Sequence, residues 1–356
     1  MKPISDTTLA FAVPGGFDRL TGGTIYDRRV AEGLERLGWT VRRIDLPGGF
    51  PDPDPAAAMA TRERLLALPA RSRLVVDGLA LGVLPELAAE LASRLELIAL
   101  VHHPLAFETG LAPEAAMRLR QSERSALARC RRVICTSRTT RLALVEDFAV
   151  PEARIAVVPP GTDPRPLARG SGGPGLHILN VGSVIARKDQ RTLVSALAEL
   201  GDEAVRVTIA GSLERDPATA RGLAALIQET GQGDRIHLAG ELDSEALDAA
   251  LDASDLFVST ALYEGYGMAL GEALAAGVPA LVARGGAVVE VVPEAAGLFF
   301  EPGDADELRR LIEALARDPI ALERLRDGAR RARERLPTWA TTARLVAEAL
   351  RCEAAG

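Results

Sequence analysis

The sequence predicts an α/β protein built as two parallel-sheet domains, and three observations predict it. Its 356 residues exceed the reach of one hydrophobic core, which favours two domains of roughly 150 to 180 residues each. Short apolar runs alternate with amphipathic segments along the whole chain, the pattern of strands covered on both faces by crossover helices. The alternation pauses at residues 165–175, where Gly, Pro and Ser dominate the second half and a linker is expected.

In the first half, residues 9–13 read as the opening strand. A loop holding Gly15-Gly16 and Gly22-Gly23 follows, then a helix from about Thr24 that Gly38 closes. Strands are expected at 41–45, 74–77, 97–101, 133–136 and 155–158, with helices near 57–68, over 113–129 and from Ser137. The 97–101 strand runs directly into His102-His103-Pro104. The second alternation places strands at 177–181, 205–210, 235–239, 256–259, 280–282 and 298–300. Asp304 with Glu307 three residues on forms a capping box, and residues 338–350 have a helical pattern with Trp339 near the start.

Bulk composition narrows the function. With 47% hydrophobic and 26% charged residues the chain is globular, and a net charge of −7 argues against general nucleic-acid binding. The apolar run at 9–13 is too short for a signal peptide, and no run of about 18 apolar residues suits a membrane span. Cys130, Cys135 and Cys352 show no metal-ligand spacing, so a reducing, cytoplasmic setting is expected.

The most informative stretch follows the strand at 256–259: Tyr263-Glu264-Gly265-Tyr266-Gly267-Met268-Ala269-Leu270-Gly271-Glu272-Ala273, ending in Gly277-Val278-Pro279. It reads as strand, glycine-rich turn and helix, with Gly277 as the stop. A helix beginning near Gly267 turns the amides of Gly265 to Gly267 outward at a positively polarised end, which suits a phosphate. Glu264 and Glu272 stand eight positions apart with small or apolar residues between, and neither has a lysine next to it in the sequence. Carboxylates accept paired hydrogen bonds, as the vicinal hydroxyls of a sugar or ribose offer them.

Glu264-Gly265-Tyr266-Gly267 with Glu272-Ala273-Leu274-Ala275-Ala276-Gly277-Val278-Pro279 resembles the E-x7-E signature of the retaining, nucleotide-sugar-dependent glycosyltransferases of family 4. That family has the GT-B fold, two Rossmann-like parallel-sheet domains facing a central cleft. The likeness extends to Pro159-Pro160-Gly161-Thr162-Asp163, Val181-Gly182-Ser183 through Lys188, Gly285-Gly286 through Glu290, Gly297, Pro302-Gly303-Asp304 and Trp339, and so covers nearly the whole chain. It implies an acceptor-side domain over 1–164, a linker over 165–175 and a donor domain over 176–337. Residues 338–356 form a final helix that crosses back to the first domain.

The resemblance also implies roles. Glu272 holds the ribose, Glu264 the sugar hydroxyls, Lys188 and Arg187 the diphosphate, and His102 the sugar ring. Charge grows on the leaving diphosphate as the glycosidic bond breaks, and cations must meet it. The family's arginine directly after the strand-ending glycine is replaced here by Ser183, which leaves Arg187 as its substitute. Gly22, Gly23, Gly182, Gly265, Tyr266, Gly267 and Met268 complete the donor-side set, and His103, Glu108 and Tyr26 are candidates for the acceptor.

The implied donor is a nucleoside-diphosphate sugar, used as a substrate, with no cofactor; the acceptor is open between small molecule, lipid and glycan. No metal is expected. Asp52-Pro53-Asp54, a D-x-D pattern, lies in a proline loop and reads as surface, and Asp304-Ala305-Asp306 as a helix start. Arginines at 118, 120, 124, 129, 131 and 132 are opposed locally by Glu123 alone, so this helix either is simply solvated or leans weakly on an anionic bilayer. Rivals are a sugar-nucleotide epimerase on the same fold and a non-catalytic nucleotide-sugar-binding protein. A dinucleotide oxidoreductase is disfavoured, because no G-x-G-x-x-G follows the first strand.

Overall fold

The computed structural model describes residues 7–201 and 204–351; Cys352 and the end of the expected 338–356 segment lie outside the described residues. The chain forms two compact units. One comprises the chain up to Gly161 together with Pro337 onward, and the other is Thr162–Leu336.

The first unit carries a parallel sheet of β1 (Thr8–Pro14), β2 (Thr40–Leu46), β3 (Arg73–Asp77), β4 (Glu96–Val101), β5 (Arg132–Cys135) and β6 (Ile155–Val157), in the order β2-β1-β3-β4-β5-β6. Register is fixed by pairs such as Val13 with Asp45 and Val76 with Ala99. Strands β3 and β4 are buried almost throughout, and Leu74, Val76, Leu97 and Ala99 point into one core. This is why they read as continuous apolar runs rather than as alternation. Edge strand β2 instead exposes Arg42 and Arg43, charges that discourage pairing with another chain.

The second unit repeats the plan with β7 (Leu176–Val181), β8 (Val205–Ala210), β9 (Ile236–Gly240), β10 (Leu256–Ser259), β11 (Ala280–Ala283) and β12 (Gly297–Phe300), all parallel, in the order β12-β11-β10-β7-β8-β9. Ile178, Val207, Ile209, Val258 and Leu281 fill its core. In both sheets the strand order reverses once, between β1 and β3 and between β10 and β7. Ligands collect at such a reversal, outside the carboxyl ends of the strands.

Several local expectations are corrected. Gly22 and Gly23 do not precede the first helix but begin it (Gly22–Arg36), because Thr21 Oγ1 caps the helix by accepting the Thr24 amide at 3.2 Å. Two helices, Gly78–Leu81 and Pro85–Ala92, occupy a stretch for which the sequence suggested none; Asp77 caps the former by accepting the Leu79 amide. The capping box at Asp304 is only half formed, since Glu307 accepts from Glu301 rather than from Asp304. Asp54 caps the Pro55–Leu66 helix through the Ala57 amide.

Residues 165–175 hang on the second unit rather than swinging free. Ala168 donates to Ala276 O (2.8 Å), Gly170 to Asp252 O (2.9 Å) and Ser171 to Asp255 Oδ1 (3.1 Å). The closing helix, Trp339–Arg351, belongs to the first unit, where Thr342 donates its hydroxyl to Pro159 O at 2.8 Å. Gly161 is required there: a Cβ at this position would lie 2.3 Å from the Trp339 nitrogen.

Candidate functional site

In the second unit, the loop after β7 and the loop after β10 meet beside the strand-order reversal. The first carries Gly182-Ser183 and a single turn of 3-10 helix, Ala186–Lys188; the second carries Glu264. They are stitched together by the Leu262 amide donating to Arg187 O (2.9 Å) and the Thr260 hydroxyl donating to Lys188 O (2.9 Å). Asp189, just beyond Lys188, sits at φ 45°, a left-handed conformation uncommon for a residue with a side chain. It ends the one-turn helix and redirects the chain into Gln190–Ala198.

Three side chains converge between these loops. Lys188 Nζ contacts Glu264 Oε1, and Arg187 donates to Tyr263 O at 2.7 Å while lying 3.6 Å from Glu264 Oε2. The sequence left Glu264 without a neighbouring cation; the fold supplies two from 76 and 77 positions away, because parallel strands bring distant loops to one edge. Gly182 makes room for this, since a Cβ there would sit 3.2 Å from Lys188 Cε. Gln190 bonds the Gly182 and Ser183 carbonyls from below, at 3.4 and 3.2 Å.

Glu264 is held by its backbone as well. Its amide donates to Gly285 O (3.2 Å), and its carbonyl accepts from Ala287 (2.8 Å). Gly286 has φ 74°, and a Cβ there would approach Glu264 O to 2.2 Å, so the glycine is needed for close passage. Gly267, at φ 94°, turns the chain into the Met268–Ala275 helix. Tyr266 is mostly buried; desolvation, helped by Glu290, pushes its hydroxyl up to about 12, so it stays protonated.

Glu272, on that helix, lies 3.6 Å from an Arg165 guanidinium nitrogen, and Arg165 also pairs with Asp248. Arg165 was expected only as linker. The structure therefore brings together Gly182, Arg187, Lys188 and Glu264, and puts Glu272 in a second contact with Arg165.

The remaining candidates belong to the first unit. His102 follows β4, and its Nε2 lies 3.1 Å from Asp27 Oδ1, while Thr136 donates to its carbonyl at 3.0 Å. Gly23 packs on the imidazole: a Cβ there would meet Cδ2 at 3.0 Å. Burial disfavours a charged ring, but the Asp27 carboxylate, its hydrogen bond and the Asp77 charge outweigh it and raise His102 to about 9. Asp77, at the end of β3, is pushed up to about 7 by burial and by Asp27. Ligating atoms of Asp27, Asp77 and His102 lie within 4.8 Å of one another, the one group among the described residues able to collect three metal ligands.

Sequence reasoning missed Asp27 and Asp77. A signal existed, since Asp27 falls in the buried helical row of Val30, Ala31 and Leu34, where a charge needs a partner. Tyr26 is corrected: it is fully buried, donates to Val158 O at 3.0 Å and stacks edge-on against His102, so it cannot meet an acceptor. His103 Nε2 lies 3.4 Å from Glu108 Oε2.

On the Pro113–Leu127 helix, Glu123 does not oppose the arginines. It is buried, accepts the Leu105 amide at 2.9 Å, and burial pushes it up to about 8. Arg120 pairs instead with Asp147 (2.7 Å) and Arg131 with Glu96 (2.5 Å), while Arg118 and Arg124 are exposed. Among the described residues no helix is long and apolar enough to cross a membrane.

Comparison with known proteins matches residues 21–165 to the model of Glycosyltransferase Family 4 and residues 170–332 to that of Glycosyl transferases group 1. The chain is 29% identical over 263 residues to the MMP alpha-(1->4)-mannosyltransferase of Mycolicibacterium hassiacum, covering 69% of this chain and 63% of that protein. It is 28% identical over 197 residues to the mannosylfructose-phosphate synthase of Agrobacterium fabrum, covering 50% of this chain and 43% of that one. The chain thus spans less than two thirds of the length of these curated relatives. Among solved structures, the sucrose-phosphate synthase of Thermosynechococcus elongatus superposes with a TM-score of 0.81 at 22% identity, over 96% of this chain and 98% of that one. Anabaena HepE in complex with UDP and glucose superposes at 0.76 and 17% identity, over 97% and 99%. At these identities the likeness speaks for the fold.

Proposed function

We propose that this chain, which belongs to the GT-B glycosyltransferases through its two matched domains, moves a hexose from a nucleoside-diphosphate sugar to an acceptor hydroxyl with retention of anomeric configuration. One observation carries the reading: Arg187 and Lys188 converge with Glu264 at the carboxyl edge of the second sheet, beside a glycine turn and a helix start. Cations with amide dipoles suit a diphosphate, and a carboxylate suits sugar hydroxyls. In the reaction the bond from the anomeric carbon to the diphosphate oxygen breaks and the bond to the acceptor oxygen forms on the same face. The acceptor proton passes to the leaving phosphate oxygen. Arg187 and Lys188 take up the developing charge, Glu264 orients the sugar and Glu272 the ribose; the role of His102 at the sugar ring is carried over from the family resemblance alone. These side chains do this without assigning work to a metal.

The names of these relatives make mannose and glucose the first sugars to try and UDP the first nucleotide, with GDP tried beside it. Incubation of each donor with hydroxyl acceptors, followed by NMR of the product anomeric proton, tests the proposal; an inverted product contradicts retention, and conversion of donor without acceptor indicates an epimerase. Glu272→Ala should weaken donor binding by about 10- to 100-fold, the worth of a charged hydrogen bond or two. Unchanged calorimetric affinity would remove Glu272 from the site.

We also propose that the exposed arginines of the Pro113–Leu127 helix give a weak peripheral contact at the inner face of an anionic membrane. Replacing Arg118, Arg120 and Arg124 by alanine should abolish co-sedimentation with phosphatidylglycerol vesicles. If the intact chain does not co-sediment, the contact does not exist.

A further inference from the structure

Asp27, Asp77 and His102 form a cluster that the family assignment does not account for. Asp27 lies on the Gly22–Arg36 helix, Asp77 ends β3 and His102 follows β4, so two strand ends and a helix bring them to the carboxyl edge of the first sheet. Asp27 is fully buried and the imidazole about one-fifth exposed, so the carboxylates stand behind a ring that alone reaches the surface. Asp27 Oδ1 faces His102 Nε2 at 3.1 Å. Asp27 Oδ2 is buried with no hydrogen-bond partner while Asp77 is ionised, yet Asp77 lies within hydrogen-bonding reach of Asp27. A proton on Asp77 supplies the missing partner.

Charge balance demands the same proton. Two ionised carboxylates and an imidazolium leave one uncompensated negative charge in a buried place, which costs several kcal/mol. Below about pH 7, where Asp77 keeps its proton, the group is neutral overall: imidazolium, Asp27 carboxylate and Asp77 carboxylic acid; above it the Asp77 charge adds to the pull that holds the proton on His102. Of the neighbouring groups, Tyr26 is held well above its usual range by burial, and the Cys135 thiol donates to Ser137 O at 3.5 Å. The ring is clamped by Gly23 on one side and the Tyr26 edge at 5.3 Å on another.

We infer that Asp27 and Asp77 are positioning residues that keep His102 oriented and cationic at the sheet edge, Asp27 by direct hydrogen bond and Asp77 by lending its proton to Asp27. The inference rests on the proposed function only for its catalytic consequence, that an imidazolium presented to the sugar or its leaving oxygen raises turnover. The charged state itself is independent of any substrate.

The test uses the intact 15N-histidine-labelled chain. It has only four histidines, and His102→Gln identifies the resonance of interest by its loss. His102 should remain charged past pH 8. Asp27→Asn, which removes the carboxylate and keeps the shape, should lower its titration by about two pH units. Asp77→Asn, which supplies a permanent N–H but removes the Asp77 charge, should lower the His102 titration by less than Asp27→Asn does, because the Asp27 carboxylate and its hydrogen bond remain. In transfer assays Asp27→Asn should reduce kcat by at least about tenfold with donor KM within about twofold, because orientation and charge are lost rather than binding.

Thermal melts confirm that each variant is folded, and if Asp27→Asn fails, the titrations of the native chain and of Asp77→Asn decide. A native His102 that titrates at the ordinary histidine position overturns the inference. So does an unaltered titration in Asp27→Asn, or stoichiometric zinc binding to the native chain that Asp27→Asn abolishes. If no donor is turned over, the proposed function fails while the titration arm still decides the charged cluster. A lowered titration with unchanged kcat overturns the catalytic consequence alone.

Discussion

Lys188→Ala should lower transfer by about 10²- to 10³-fold, the usual effect of removing one preorganised group aimed at developing charge. The expectation follows from its setting. Lys188 is held at the end of a one-turn helix, its carbonyl is bonded by Thr260, and its stem lies over Gly182. A cation fixed this way needs no reorganisation as charge reaches the diphosphate. Arg187 is engaged with the Tyr263 carbonyl at 2.7 Å and cannot fully replace it. Single-turnover kinetics on a responsive donor measure the loss, and a reduction under threefold would remove Lys188 from the chemistry. Lys188→Arg should recover only part of the rate, since a planar fork does not reproduce a point charge.

Glu264→Gln should separate two properties that usually move together. In the structure Glu264 draws Lys188 and Arg187 toward itself, with its side chain only 11% exposed. A free nucleoside diphosphate must compete with this carboxylate for the same cations. Neutralising it should tighten free diphosphate binding by on the order of 1 kcal/mol, about fivefold. The sugar-bearing donor gains the same cations but loses a charged hydrogen bond worth about 1.5–3 kcal/mol. The net loss is about 0.5–2 kcal/mol, so transfer should fall by about 2- to 30-fold while UDP or GDP binds more tightly. Weaker diphosphate binding in Glu264→Gln would mean that Glu264 organises the loop rather than competing for its cations.

The two-sheet fold was readable because parallel strands buried on both faces are short continuous apolar runs. β8 and β10 fall on the residues the pattern marked, Val205–Ala210 and Leu256–Ser259, since each is bounded by turn-forming or polar sequence. The helices Gly78–Leu81 and Pro85–Ala92 were not readable. Gly78–Leu81 is a single turn with no polar residue, and Pro85–Ala92 is only eight residues long, with Glu86 and Glu90 as its one polar pair, too short for a helical period to stand out. The glycine-rich turn at Gly265–Gly267 was legible as local chemistry. The pairing of Glu264 with Lys188 was not, because 76 residues separate them and no periodicity links two loop ends. Asp27 and His102, 75 positions apart, were hidden for the same reason. Arg165 was mistaken for linker because Gly, Pro and Ser nearby suggest freedom, whereas backbone bonds to Ala276 and Asp252 tie the segment down.

The central claim is that the loops after β7 and β10 grip a nucleoside diphosphate through Lys188 and Arg187. Calorimetric titration of the intact chain and of Lys188→Ala with UDP and GDP tests it most directly. The account predicts one site per chain for at least one of the two nucleotides, weakened tenfold or more by the substitution. Equal affinity in the two proteins, or no binding of either nucleotide to the intact chain, would contradict it.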